Sequence, residues 1–316
     1  EHVKRNKLNA HDNYSMPTVS RAYRSEDDFQ SVMDFLRDTY AETGSLNNWS
    51  PTRFENSRGE MARHTRIWEE FEKGKLEPRI VAIANPKIEF LYFIQIHPEY
   101  SYLEGEIVRW IEDHSEDQKP DPNKELKLSI VSLDGNLARE TALQERGFEK
   151  GPVYGILRLR SVDAPIPNFL PPDGFEIRSV RHDNDFDKIS EGIRVVFGHG
   201  DWFTGEVLEG ISKASFYQRD LDLVAVTPDG SIAAFCTFRI DPMSGITELE
   251  PIGTLPRYRR LGLAKALLSE GFMRLRKYDP TILHISGAAY TPEANRLFEV
   301  TGFDEACNYY FWHKMI

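Results

Sequence analysis

The chain has 316 residues, a formal net charge of −11 at pH 7, 40% hydrophobic and 28% charged residues, and two cysteines. Its length suits two hydrophobic cores in domains of roughly 150 residues each, and its composition is that of a soluble globular protein. The acidity weighs against a nucleic-acid partner, which needs clustered Lys and Arg, and the absence of a long apolar run weighs against a membrane span. Cys236 and Cys307 form neither a disulfide framework nor a metal-ligand spacing, so a reducing cytoplasm and no metal are expected.

Residues 1–15, "EHVKRNKLNAHDNYS", are polar, lack an apolar signal-peptide centre and read as a mobile leader. A first domain is expected over 16–160. In it a helix follows Phe29, and the Val-, Ile- and Tyr-rich runs "PRIVAIA" and "EFLYFIQI" read as strands. A helix, the strand "LKLSIVSL", another helix and a closing strand after Gly147-Phe148 complete it. The stretch "SVDAPIPNFLPPDG" then holds four prolines and predicts a linker, placed at 161–172. The second domain, 173–316, repeats the order. A helix follows Phe186, and the strands are "LDLVAVT", "SIAAFCTFRI" and "GITELEPIGT", with a hairpin turn at "TPDG". A helix over "LAKALLSEGFMRLRKY", the strand "TILHISGA", a further helix and a last strand after Gly302-Phe303 follow. The class is α/β, with mixed, mostly antiparallel sheets flanked by helices.

The two halves share landmarks at a nearly constant offset. "SRAYRSEDDFQ" resembles "IRSVRHDNDFD", with Phe29 and Phe186 at an offset of 157. "IHPEYSYLEGEIVRW" resembles "TLPRYRRLGLAKALL", with Pro98 and Pro256 at an offset of 158. "LQERGFEKG" resembles "FEVTGFDEA", with Gly147 and Gly302 at an offset of 155.

The second of these pairs carries the chemistry. In Arg259-Arg260-Leu261-Gly262-Leu263-Ala264-Lys265, a strand enters a turn at Pro256 and a helix begins. The first N–H groups of a helix lack intrahelical partners and carry the positive end of its dipole, which suits an anion. Gly262 and Ala264 let an oxyanion approach the backbone, and the two arginines supply charge in a form that grips phosphate oxygens. Arginines at an ordinary helix start would oppose the dipole.

This Arg-x-x-Gly-x-Ala pattern, after a strand and a Pro-x-Tyr turn, resembles the acetyl-coenzyme A loop of the GNAT superfamily of N-acetyltransferases. "ANRLFEVTGF" resembles the helix and Gly-Phe turn that follow there. With the internal repeat, the chain resembles a tandem-GNAT protein, a layout similar to that of mycothiol synthase. The resemblance implies two tandem GNAT-like domains and acetyl-CoA as cosubstrate. It puts the pyrophosphate on the backbone of 260–265, with the pantetheine arm beside Ile252, Gly253 and Thr254 where two strands splay apart. Pro251 and Gly253 suit an irregular strand.

Aligned on the same offset, the first half has Ser101, Glu104 and Glu106 where the second has Arg259, Gly262 and Ala264. Two carboxylates would repel a pyrophosphate, so the first domain is expected to be degenerate and the chain to bind one acetyl-CoA. Glu248 and Glu250 share parity on the strand before the loop and are the candidate bases for freeing an amine of its proton. Glu250 is favoured for its closeness to the splay. The family's general-acid tyrosine corresponds to Phe298, which donates no proton, and its asparagine corresponds to Thr291. Tyr290, Tyr309 and Tyr310 are alternatives among which the sequence does not choose. Asp201, Trp202, Phe203 and Glu206 fall where the family builds an acceptor wall. The reading is an N-acetyltransferase acting on a small primary amine. The alternatives are a non-catalytic acyl-CoA-binding protein and an aminoacyl-tRNA-dependent transferase. The oligomeric state is not readable.

Overall fold

The computed structural model describes residues 18–57, 64–71, 74, 77–288 and 291–316; the leader and Tyr290 lie outside these. The first half runs β1 (Thr18–Ala22), α1 (Glu26–Thr43), α2 (Pro51–Asn56), β2 (Arg66–Glu70), β3 (Arg79–Ile88), β4 (Leu91–Ile96), α3 (Glu104–Asp117), β5 (Lys127–Leu133), α4 (Leu137–Glu145) and β6 (Glu149–Arg160). The second runs β7 (Glu176–Ser179), α5 (His182–Phe197), α6 (Gly205–Ile211), β8 (Asp222–Val226), β9 (Ile232–Ile240), β10 (Ile246–Thr254), α7 (Leu263–Leu275), β11 (Ile282–Ala288), α8 (Pro292–Val300) and β12 (Asp304–Met315). Among the described residues no helix is long and apolar enough to cross a membrane.

Both halves begin with the same ion-paired corner. Arg21 on β1 donates to Asp28 in the first turn of α1 at 2.6 and 2.9 Å, and Asp28 also accepts the Arg24 backbone N–H at 2.7 Å. Arg178 on β7 repeats this with Asp185 of α5 at 2.6 and 3.1 Å, and the Arg181 N–H donates to Asp185 at 2.7 Å. Burial alone would raise the pKa of each carboxyl, but the arginines and backbone donors hold both below their usual range. The repeat seen around Phe29 and Phe186 is therefore a repeat of this pair. The helices start before those phenylalanines, not after them as the sequence suggested, because the Asp must lie in the first turn.

Among the described residues twelve strands form one sheet, in the order β1-β2-β3-β4-β5-β12-β6-β11-β10-β9-β8-β7. The closing strands are exchanged. β12 runs antiparallel to β5, with Tyr309–Met315 opposite 127–133, and β6 runs antiparallel to both β11 and β12. The parallel pairs are β4 with β5 and β10 with β11, each over two or three residues. Helices cover both faces. In the second half α7 and α8 pack Leu267, Phe272 and Phe298 against Phe238, Leu249 and Leu283. On the other face α5 packs Ile189 and Ile193 against Val224 and Phe235.

The loop positions of the first half are occupied by structure. Glu104, standing where the second half has Gly262, is buried and paired with buried Arg139 of α4 at 2.9 Å. Glu106 accepts the indole N–H of Trp68 at 2.8 Å. Arg139→Met leaves the Glu104 carboxylate buried without its counter-charge, at an expected cost of about 3–5 kcal/mol. This is read as a lowered urea midpoint, with most of the loss recovered in Glu104→Leu/Arg139→Met.

Candidate active site

Strand β10 positions the candidate residues. It pairs with β11 over Ile246–Glu248, opposite 282–284, and beyond Glu248 the two strands part. Against β9 its register shifts between Leu249 and Ile252, so Glu250 and Pro251 fall in a bulge. Among the described residues 252–254 make no ladder pair on the β11 side. Gly253 is constrained from the other side, since a Cβ there would lie 2.4 Å from the Phe235 ring.

Glu248 is opposite Arg239 on β9 and opposite His284 on β11, which places the three side chains in one row on the face covered by α5. Each is nearly inaccessible: Arg239 retains 6% exposure, Glu248 0% and His284 1%. Charged groups are rarely so buried without partners. The partner of Glu248 comes from the first half. Helix α2 is started by Ser50, whose Oγ accepts the Arg53 N–H at 3.4 Å, and by Pro51. It aims Arg53 Nε at Glu248 at 2.9 Å, while a terminal guanidinium nitrogen bonds both Glu248 and Glu250. Thr52 donates to Glu248 at 3.3 Å. Two residues on, Glu55 accepts the N–H and hydroxyl of Ser215 at 2.8 and 2.6 Å, fastening α2 to the segment after α6.

The electrostatics follow from this packing. Burial would raise the Glu250 carboxyl, but Arg53, Arg239 and Lys87 pull it down to about 2, although its side chain keeps 40% exposure. Burial lowers the Lys87 ammonium, and the neighbouring Arg53 charge lowers it further. Burial pushes His284 down to about 4, so the imidazole is neutral at physiological pH, with Nδ1 2.9 Å from the Ser286 hydroxyl. Burial pushes the Tyr309 phenol up to about 12.

At the far end of β10 a single turn, 256–258, leads to Arg259, whose Nε donates to the Thr254 carbonyl at 3.2 Å. Arg260 and Gly262 have φ of 68° and 86°, and Gly262 caps α7 with no side-chain hydrogen bond. Its first N–H groups are thus unclaimed by a side chain. A Cβ on Gly262 would meet nothing within 4 Å, so the backbone there borders open space. Arg259, Arg260 and Leu261 are exposed, Ala264 and Lys265 half-buried, and Leu263 points into the core. Ile252 and Thr254 are half-buried beside the splay. The linker lies against this helix: the Lys265 ammonium sits 4.9 Å from the Phe169 ring centre, and the Phe169 N–H donates to Ser269 Oγ at 3.3 Å.

Other expected positions have structural duties. Phe298 is core, and the Thr291 hydroxyl accepts the Ala294 N–H at 3.3 Å as the cap of α8. Trp202 is exposed and Phe203 packs on the α5 cluster. Sequence reasoning missed Arg53, Arg239 and His284. For Arg239 and His284 the signal was a polar residue inside the apolar runs "FCTFRI" and "ILHIS". Arg53 left none.

Residues 197–303 match the model of the acetyltransferase (GNAT) family, a segment running from the end of α5 to the Gly-Phe turn. The chain resembles a GCN5-related N-acetyltransferase from Sphaerobacter thermophilus, with 17% identity and a TM-score of 0.68 over 95% of this chain and 96% of that one. It also resembles a tandem GNAT protein from the clavulanic acid biosynthesis pathway, with 14% identity and a TM-score of 0.66 over 95% and 98%. No curated protein sequence matches it. The second half therefore carries a segment that matches the acetyltransferase (GNAT) family, and the fold of the chain is that of a tandem-GNAT protein.

The His284 imidazole gives a pH signature. Its folded pKa lies below the unfolded value of about 6.5, so its contribution is fully present above that pH and fades as pH falls toward 4. Global stability is expected to drop by about 3 kcal/mol over this window through His284. A His284→Asn variant, followed by denaturant titration at each pH, loses that part of the dependence.

Proposed function

We propose that the second half transfers an acetyl group from acetyl-CoA to the primary amine of a small molecule, by direct attack of the amine on the thioester. The observation that carries this is the placement, on one splayed strand, of an open glycine-capped helix start beyond its end and a half-exposed carboxylate, Glu250, at its central bulge. The residues fit the cosubstrate. The N–H groups at 260–265 and the Arg259 and Arg260 guanidinium groups hold the pyrophosphate, and the freed backbone of Ile252, Gly253 and Thr254 pairs with the pantetheine arm. In the first half, Glu104 and Glu106 hold the corresponding positions, so one acetyl-CoA binds per chain. A reducing cytoplasm suits the two free cysteines.

Glu250, ionised at every working pH, is a weak base for an ammonium whose reference pKa is about 10. It serves as the anion that seats the ammonium, and the reacting species is the free-amine fraction, whose proton leaves through water. Glu248, clamped by Arg53 and Thr52, fixes the arginine that sets the charge of Glu250. Phe298 donates no proton; a thiolate of reference pKa about 8.5 leaves without one.

Calorimetry with acetyl-CoA tests the loop. One site per chain is expected, abolished in Gly262→Asp, which adds a negative side chain at a positive φ, with melting within a few degrees of native. Two equivalent sites, or unchanged affinity in the variant, refute the assignment. Thiol release over an amine panel tests the transfer. The kcat/KM is expected to climb with pH as the amine loses its proton, with no break between pH 4 and 8 from Glu250. Glu250→Gln is expected to raise the amine KM about tenfold, the equivalent of about 1.4 kcal/mol.

A further inference from the structure

We infer that the acceptor carries a carboxylate as well as an amine, an amino-acid-like zwitterion, and that Arg239 is the residue that receives the carboxylate. The inference rests on the acetyl transfer proposed above and concerns the same face of the sheet.

Arg239 retains 6% exposure, and its Nε is buried with no hydrogen-bond partner. Among the described residues no carboxylate reaches it within ion-pairing range. The nearby acids are already claimed. Glu248 and Glu250 are both held by Arg53. Asp222, opposite Thr237 on the neighbouring strand, accepts the Tyr217 and Thr237 hydroxyls at 2.8 Å each. The Arg239 charge acts on Glu250 and on Asp222 from beyond ion-pairing range. Among the described residues the guanidinium is met by the Phe216 ring, 5.5 Å away, on the segment that Ser215 ties to α2. A desolvated guanidinium without a counter-ion is costly, and such groups gather where a ligand supplies the missing charge. His284, across Glu248, is the second member of the row with a buried unpartnered atom, its Nε2.

Position and charge then select the ligand. Arg239 stands opposite Glu248, and Glu250 is two residues further along β10. Diagonal neighbours of this kind are about 7–8 Å apart at the backbone, a span that long side chains reduce to the size of a compact zwitterion. An ammonium at Glu250 leaves the carboxylate of an α- or β-amino acid facing the planar guanidinium fork, which it matches in a bidentate way. A phosphate also matches the fork, but its second negative charge would face Glu250 and Asp222, and the nearby Lys87 ammonium is itself pushed down by burial and by the Arg53 charge. A monoanion is therefore favoured.

The test uses matched acceptors that differ only by the carboxylate: L-phenylalanine with 2-phenylethylamine, L-ornithine with putrescine, and L-alanine with ethylamine. Thiol release from acetyl-CoA is expected to favour the acid of at least one pair tenfold or more in kcat/KM. Arg239→Met should bring that ratio close to one, and Arg239→Lys should keep part of it. A ratio within one sample is independent of how much of a variant folds. Calorimetry of the same pairs on CoA-saturated full-length protein reads the preference without turnover. A native ratio of one or below, binding of neither member of any pair, or a preference that survives Arg239→Met overturns the inference while leaving acetyl-CoA binding intact. Loss of acetyl-CoA binding by the native chain instead overturns the proposed transfer.

Discussion

A carboxyl group buried in a sheet needs a partner, and the one that reaches Glu248 comes from the other half of the chain. Arg53 is delivered by α2, a helix of under two turns whose start is fixed by Ser50 and Pro51. From there it binds two carboxylates of β10 at once. The contact, with Arg239 and Lys87, holds Glu250 ionised, and it takes up both glutamates so that neither pairs directly with Arg239. The first half does more than cover the second. It supplies a charged group to the second half's polar floor, and the Glu55–Ser215 bonds hold that group in register.

The exchange of closing strands enforces the same dependence at the level of the fold. β6 lies between β12 and β11, and β12 lies between β5 and β6, so each half completes the hydrogen bonding of the other. Two repeated units joined only by a proline-rich linker would be free to shift, and Arg53 would lose its aim. A continuous sheet removes that freedom, because sliding one half means breaking ladder pairs along β6 and β12. The linker adds a fastening of its own through Phe169 at α7.

Much of this was legible in the residues, and the limits have physical causes. The strands on either side of the loop, the TPDG turn and the helix after Gly262 carry strong local signals: β-branched runs, a glycine where φ is positive, an amphipathic stripe. The Arg-x-x-Gly-x-Ala motif is likewise local. The outer strands β1, β2 and β7 are short and polar, and no periodicity marks them. Strand exchange is invisible because β6 and β12 read the same whichever sheet they join. The Arg53 clamp joins residues almost two hundred positions apart, and its sequence neighbours are unremarkable. Glu248 and Glu250 could be placed on one strand face from their parity, but not the lowered pKa of Glu250, which depends on what packs over it. The match of the halves around Phe29 and Phe186 was visible, whereas its cause, the Arg–Asp corner, needed the three-dimensional contact.

The pairing of Glu104 with Arg139 has a consequence for how such a chain can change. At this position one repeat holds a glycine bordering open space and the other a carboxylate locked in the interior. Reverting Glu104 to glycine alone would not recreate a phosphate cradle. It would strand Arg139, at 3% exposure, with its charge unanswered. Replacing Arg139 first strands the glutamate instead. Each single step passes through a less stable protein, so the two substitutions are epistatic and must arrive together. The duplicated halves are thus held apart by a ratchet, and the division of labour between them is easier to keep than to undo.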